Sequence, residues 1–93
     1  MNRYEVIITP KADSDIRNFY KSGNKRVVRK IEKLVEELEF HPTTGTGKPE
    51  QLSGNRSGQW SRRITEKHRL IYEIFDDKVM VLVISAFGHY DDK

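Results

Sequence analysis

The segment at residues 78–85 (KVMVLVIS) constrains the fold most, because its side chains are apolar on both faces of a candidate strand. A strand of this kind suits the centre of a sheet, where both of its faces are covered. Two strand-like runs precede it, residues 59–65 (QWSRRIT) and Arg69–Phe75 (RLIYEIF), and the short turn between them predicts a β-hairpin. The second half of the chain therefore predicts a sheet with its last strand at the centre.

The first part of the chain predicts one strand and two helices. Residues 4–9 (YEVIIT) are β-branched and aromatic, and Pro10 suits the first turn of a following helix. After a break at residues 22–24 (SGN), apolar residues recur at helical spacing across residues 27–38, with basic residues on the outer surface. Because the helices come early in the chain and most of the strands come late, we expect an α+β fold of order β-α-α-β-β-β. Both helices are then expected to pack on one face of a mainly antiparallel sheet.

The connection at residues 41–58 is rich in glycine and proline and has no clear periodicity. It could contain a short extended piece near Gln51 and Leu52. A connection of this length is uncommon in a small domain and is often functional, although disorder fits its composition equally well. Its GTGKPE sequence lacks both the first glycine and the Ser/Thr of a nucleotide-binding P-loop, so that function is excluded.

The composition bounds the class of protein. A chain of 93 residues suits one domain over residues 1–93, and the absence of cysteine excludes disulfides and thiolate metal ligands. The three histidines have no metal-ligand spacing. No apolar stretch predicts a membrane span or a secretory signal, so a cytoplasmic protein is expected. Basic residues cluster in the second helix and in the hairpin, which fits either a polyanionic partner or, for the helix, a solvated face.

Alternation along the hairpin strands predicts which side chains face the core. Trp60 and Ile64 share one face of the first strand and are the natural core side. Arg63 and Arg69 are then expected to project from the opposite, open face of the sheet, away from the helices.

Six polar residues of the loop, the hairpin and the C-terminal segment match the needs of metal-independent RNA cleavage: Lys48, Glu50, Arg63, Arg69, His89 and Tyr90. Such cleavage needs a base for the 2′-hydroxyl, cations for the phosphorane and an acid for the leaving 5′-oxygen. Glu50 could be the base, His89 the acid, and the arginines could bind phosphate. Each residue also fits a simpler interpretation, as a solvated carboxylate, a surface ion pair or a C-terminal tail.

The stretch SGQWSRRITEKHRLIYEI, the loop PTTGTGKPEQL and the C-terminal HY together resemble the YoeB branch of the RelE-type toxins. The helix KRVVRKIEKLVEEL fits the same family, so the similarity extends over nearly the whole chain. The resemblance implies a curved, mainly antiparallel sheet with two N-terminal helices on one face. It also implies ribosome-dependent cleavage of mRNA in the ribosomal A site, with no metal and no organic cofactor.

The resemblance also implies the residues of the site: Glu50, Arg69, His89 and Tyr90 as the catalytic set, and Lys48 and Arg63 as phosphate contacts. Glu50 would be the general base, His89 the general acid, and Tyr90 would position the substrate. Residues 91–93 (DDK) extend beyond the tyrosine at which many members stop, and their two acids could tune the histidine.

Several partners follow from the resemblance: a YefM-like antitoxin, the ribosome and mRNA, with operator DNA reached only through the antitoxin. Homodimerisation is common in this branch. Two other functions fit the same residues. One is a non-catalytic module that binds RNA or the ribosome and blocks translation. The other is a structural partner that complexes an antitoxin and DNA. A base, a phosphate clamp and an acid occurring together favour the nuclease.

Overall fold

A computed structural model describes residues 3–54 and 57–86, which form two α-helices and a five-stranded sheet. The elements in chain order are β1 (Glu5–Ile8), α1 (Pro10–Ser22), α2 (Lys25–Leu38), β2 (Glu50–Gln51), β3 (Gln59–Arg63), β4 (Arg69–Phe75) and β5 (Met80–Ser85). The predicted α+β class is confirmed, with one addition: the extended piece in the loop is a strand, β2, paired with β3. Neither helix of this described part is long and apolar enough to cross a bilayer.

The strands lie side by side in the order β1-β5-β4-β3-β2. β5 therefore lies between β1 and β4, as its doubly apolar sequence predicts. Three of the four strand pairs are antiparallel, including the predicted hairpin of β3 and β4. β1 and β5 run parallel, with Glu5 opposite Met80, so the sheet is mixed but mainly antiparallel.

The two helices meet at the predicted break, and local capping explains it. α1 begins at Pro10, after Thr9, whose Oγ1 accepts a hydrogen bond from a backbone amide of the first turn at 3.2 Å. It ends at Ser22, and the next residue, Gly23, has a φ of 78°, the left-handed conformation that residues with a Cβ disfavour. Asn24 then caps the start of α2.

Both helices pack on the same face of the sheet, where the main core lies. That core contains Ala12, Phe19, Ile31, Leu34, Leu38, Ile64, Leu70, Tyr72, Val81, Val83 and Ala86. Trp60 is partly buried against it. The predicted alternation of the hairpin is therefore correct, because Ile64, Leu70 and Tyr72 all face the helices.

Candidate functional site

The face of the sheet opposite the helices brings three of the predicted site residues together. Glu50 lies in β2 opposite Ser61 of β3, and Arg63 lies opposite Arg69 across the β3–β4 hairpin. Ser61 and Arg63 are two residues apart on one strand and so share a face. Diagonal neighbours on adjacent strands have Cα atoms about 7–8 Å apart, which places Glu50 beside Arg63. This surface, formed by Glu50, Arg63 and Arg69, is called the open face below.

The two arginines of the open face form a like-charged cross-strand pair. Arg63 is exposed and Arg69 is half-buried, and they occupy directly opposite positions. Like charges in this arrangement destabilise a sheet. An anion between them removes the repulsion, and phosphate oxygens match the planar donor fork of arginine. The arrangement is therefore suited to binding a phosphate group next to the carboxylate of Glu50.

The floor of the open face is buried and largely uncharged. Ser61 and Ile71 lie opposite each other between the charged residues, and each is no more than 2% exposed. Within the described residues, the Ser61 hydroxyl has no hydrogen-bond partner. This serine adjoins Glu50, and the pattern of the sequence does not single it out.

Lys48 lies in the loop just before β2, with its side chain exposed. Its φ of 51° is unusual for a residue with a side chain, and Gly47 before it has a φ of 84°. The Arg63 amide donates a hydrogen bond of 2.7 Å to the Gly47 carbonyl. A Cβ at Gly47 would lie 3.0 Å from the Arg63 carbonyl oxygen, so this close approach requires glycine. The loop next to Lys48 is thus tied to the strand that carries Arg63.

Arg62, which the sequence patterns assign no role, is fully buried on the helix side of β3. Its Nη1 atom donates to Glu37 Oε1 at 2.9 Å and to the Thr46 carbonyl at 3.3 Å. Its Nη2 atom donates to the Thr44 carbonyl at 2.8 Å and to the carbonyl of His41. The alternation that places Trp60 and Ile64 toward the core places Arg62 there too, and a buried charge needs partners. An arginine at a core-facing position was therefore the signal in the sequence that could have indicated these contacts.

Tyr72, which is buried in the core, also contacts Arg62. Its hydroxyl accepts a hydrogen bond of 3.0 Å from Arg62 Nε and donates one of 2.8 Å to the Pro42 carbonyl. Burial raises the pKa of the Tyr72 hydroxyl, against the opposing effect of the Arg62 guanidinium. The hydroxyl therefore keeps its proton and remains a donor to the loop.

Glu37 joins α2 to the same loop. Thr46 donates to this carboxylate twice, from its amide to Oε1 at 2.8 Å and from its hydroxyl to Oε2 at 2.7 Å. Burial raises the pKa of the Glu37 carboxyl, but the hydrogen bonds from Thr46 and the charge of Arg62 outweigh it. The pKa is thus lowered below the ordinary value of 4.5, and the carboxylate is ionised at neutral pH.

The end of β5 is held by α1. Asp15 is buried, pairs with Lys11 at 2.7 Å and accepts a hydrogen bond of 3.0 Å from the Ala86 amide. His89 and Tyr90 follow shortly after in the sequence, and both lie outside the described residues. The structure therefore brings Glu50, Arg63 and Arg69 together, with Lys48 in the adjoining loop.

A family model described as the YoeB-like toxin of bacterial type II toxin-antitoxin systems matches residues 9–90. The chain belongs to this family of YoeB-like toxins. The resemblance seen in the loop, the hairpin and the C-terminal segment is thereby confirmed.

Individual YoeB proteins share both the sequence and the fold. The toxin YoeB of Escherichia coli K12 is 46% identical over 63 residues, which are 68% of this chain and 75% of that protein. The YoeB/ParE toxin from Agrobacterium tumefaciens superposes with a TM-score of 0.81 at 35% identity, over 92% of this chain and 99% of that one. The YoeB–YefM complex from Staphylococcus aureus gives a TM-score of 0.76 at 34% identity, over 95% and 99% of the two chains.

Proposed function

We propose that this YoeB-like toxin inhibits translation by cleaving mRNA in the ribosomal A site, without a metal or an organic cofactor. The observation that carries the proposal is the open face, where Glu50 lies diagonally next to Arg63, and Arg63 lies opposite Arg69. A carboxylate next to a phosphate-binding pair is the minimum that attack by an RNA 2′-hydroxyl needs.

The reaction begins with the 2′-hydroxyl of the cleaved nucleotide. Glu50 takes its proton, and the 2′-oxygen attacks the adjacent phosphorus. Arg63 and Arg69 stabilise the charge that gathers on the phosphorane oxygens, with Lys48 as a further phosphate contact. The bond to the 5′-oxygen breaks as the new bond forms. The products are a 2′,3′-cyclic phosphate, or the opened phosphate, and a 5′-hydroxyl end.

The leaving 5′-oxygen needs a proton, which we assign to His89 as the general acid. Histidine suits this role because it changes charge near neutral pH. Tyr90 positions the substrate, since an aromatic ring can stack on an unpaired base. Both assignments rest on the motif shared with the family. Residues 91–93, next to this pair, are the segment that could tune the acid.

A YefM-like antitoxin is the protein partner that we propose, and operator DNA would be reached only through it. The S. aureus relative is described as a complex with YefM, and a YoeB from that organism is also described as a dimer. A homodimer is therefore part of the proposal. A toxin that acts on translating ribosomes works in the cytoplasm.

The test is cleavage of a defined message on purified ribosomes, with the new 5′ ends mapped by primer extension. The wild type should cut at A-site codons and leave 5′-hydroxyl ends. Glu50→Gln and His89→Gln should each lower the rate by roughly 10²–10⁴-fold, the usual worth of a general acid or base. Glu66→Gln, which changes an exposed carboxylate between β3 and β4, is the matched control and should cut normally.

Translation arrest by the wild type without new 5′ ends would overturn the nuclease. It would support the alternative function, a non-catalytic inhibitor that binds RNA or the ribosome.

A further inference from the structure

Arg62 and Arg63 are neighbours on β3, but their side chains lie on opposite faces of the sheet. We propose that Arg62 is a positioning residue that holds, through Glu37 and Thr46, the loop leading into β2. This loop delivers Glu50 to the open face. The catalytic consequence rests on the proposed function, whereas the positioning rests on contacts within the described residues.

The held segment is the connection between α2 and β2, residues 39–49, which forms no helix or strand. Connections of this kind are usually mobile, because few contacts restrain their backbone. Here three backbone carbonyls, those of His41, Thr44 and Thr46, accept hydrogen bonds from the buried Arg62 guanidinium. One rigid, planar group therefore fixes three points along the loop.

The hydrogen bonds among Arg62, Glu37 and Thr46 are called the network below. The two glycines of the GTGK sequence lie close to its side chains. A Cβ at Gly45 would lie 2.4 Å from Glu37 Oε1 and 3.4 Å from Arg62 Nη1. A Cβ at Gly47 would lie 3.2 Å from Arg62 Cβ. Both positions also have positive φ angles, of 115° and 84°. The spacing of the two glycines, which does not fit a P-loop, thus follows from the partly buried Glu37 carboxylate and the buried Arg62 guanidinium next to them.

The network also reaches the open face along a short path. Thr46 is held by Glu37, and the next residue, Gly47, accepts a hydrogen bond of 2.7 Å from the Arg63 amide. Pro49 follows, and its ring restricts the backbone just before Glu50. Thr46 and Gly47 are both held by hydrogen bonds, and Pro49 is stiff. A shift at Thr46 therefore displaces the loop relative to Arg63. Misplacement of about 1 Å can cost roughly 10²-fold in rate.

Thr46 offers a matched set of variants that leaves the ion pair of Arg62 and Glu37 intact. Thr46→Val removes the hydroxyl that donates to Glu37 and keeps the shape of the side chain. Thr46→Ser keeps the hydroxyl and is the conservative rescue. Thr43→Val is the control, because Thr43 is an exposed residue of the same loop. Arg62 itself is left unchanged, since its loss would leave the partly buried Glu37 without its main partner and open a cavity at a fully buried position, which could prevent folding.

Two measurements on the full chain separate positioning from simple loss of stability. The first is amide hydrogen exchange at position 46 and at Arg63, whose amides bond to Glu37 and to the Gly47 carbonyl. Thr46→Val should speed exchange there by about tenfold, as expected for one lost hydrogen bond to a charged group. The second is cleavage on ribosomes, where kcat should fall roughly 10–100-fold with KM unchanged. Thr46→Ser and Thr43→Val should match the wild type in both.

The outcomes distinguish this proposal from the proposed function. If the wild type cuts and Thr46→Val retains the wild-type kcat, the positioning role is overturned. It is equally overturned if kcat falls no further in Thr46→Val than in Thr43→Val. If the wild type does not cut at all, the proposed function fails instead. Exchange at position 46 and Arg63 then decides whether the network holds the loop.

Discussion

Asp15 on α1 accepts a hydrogen bond from the backbone amide of Ala86, a residue 71 positions further along the chain. The contact is buried and follows directly after β5. It fixes the point from which the chain continues toward His89 and Tyr90. A helix on the core side of the sheet thus holds the backbone at Ala86, where the described part of the chain ends.

Replacing Asp15 should separate this hydrogen bond from the neighbouring ion pair with Lys11. Asp15→Ala leaves the Ala86 amide buried without an acceptor, so the free energy of unfolding should fall by about 1–3 kcal/mol. Asp15→Asn keeps an oxygen acceptor and loses only the pair with an exposed lysine, which should cost less than about 1 kcal/mol. Urea unfolding with an unchanged m value measures both. Equal losses would show that the ion pair, and not the amide, matters.

Replacing Arg63 should lower the activity without lowering the stability. Arg63→Ala removes one of two like charges in opposite positions, so the free energy of unfolding should stay equal or rise by about 0.2–1 kcal/mol. Cleavage on ribosomes should fall roughly 10–100-fold, as expected for a lost charged hydrogen bond to phosphate. Arg63→Lys keeps the charge without the fork and should be intermediate. A variant that lost stability along with activity would contradict a phosphate-binding role.

Acid should weaken the Glu37 contacts. Because the pKa of Glu37 is lowered on folding, its contribution is fully present above the ordinary value of 4.5 and is lost as the pH falls further. The difference in unfolding free energy between the wild type and Glu37→Gln should therefore be larger at about pH 7 than at about pH 3. Glu36→Gln, on the exposed side of α2, is the control and should show no such change. A difference that stays constant with pH would contradict the lowered pKa.

The charges of α2 run against its helix dipole, since its first turn has no acid and its last turn has no base. Lys25→Glu should therefore raise the free energy of unfolding by about 0.3–1 kcal/mol. Lys21→Glu, in the last turn of α1 where a base is favourable, should lower the free energy of unfolding by a similar amount.

The basic residues of α2 allow a separate test on ribosomes. If this face of α2 contacts ribosomal RNA, Lys25→Glu should also reduce the salt dependence of ribosome binding by about one phosphate contact. Unchanged binding would indicate a solvated face.

Local patterns predict most of the fold because they report directly on burial. The helical spacing of α2, the apolar faces of β5 and the alternation of the hairpin all reflect which side chains face the core. β2 was expected only as an extended piece, because two residues carry no periodicity and its pairing with β3 is a tertiary contact. The parallel pairing of β1 with β5 is likewise invisible in either strand.

The candidate site, like the fold, is predicted by local patterns only in part. Alternation suffices to predict that Arg63 and Arg69 share the open face. Placing Glu50 there requires the register of β2 against β3, which no local pattern gives. The role of Arg62 depends on Glu37, 25 residues earlier in the chain, so the pair appears only once the helix packs on the sheet.

The position of β5 has a consequence for the order in which the protein can fold. β5 is synthesised after the other four strands, yet it lies between β1 and β4 and contributes Val81 and Val83 to the core. Until it emerges, β1 has no neighbour to pair with, and joining segments so distant in sequence is slow. A nascent chain therefore cannot complete its sheet while β5 is still being translated. The ribosome that makes this toxin finishes decoding β5 before a folded molecule exists.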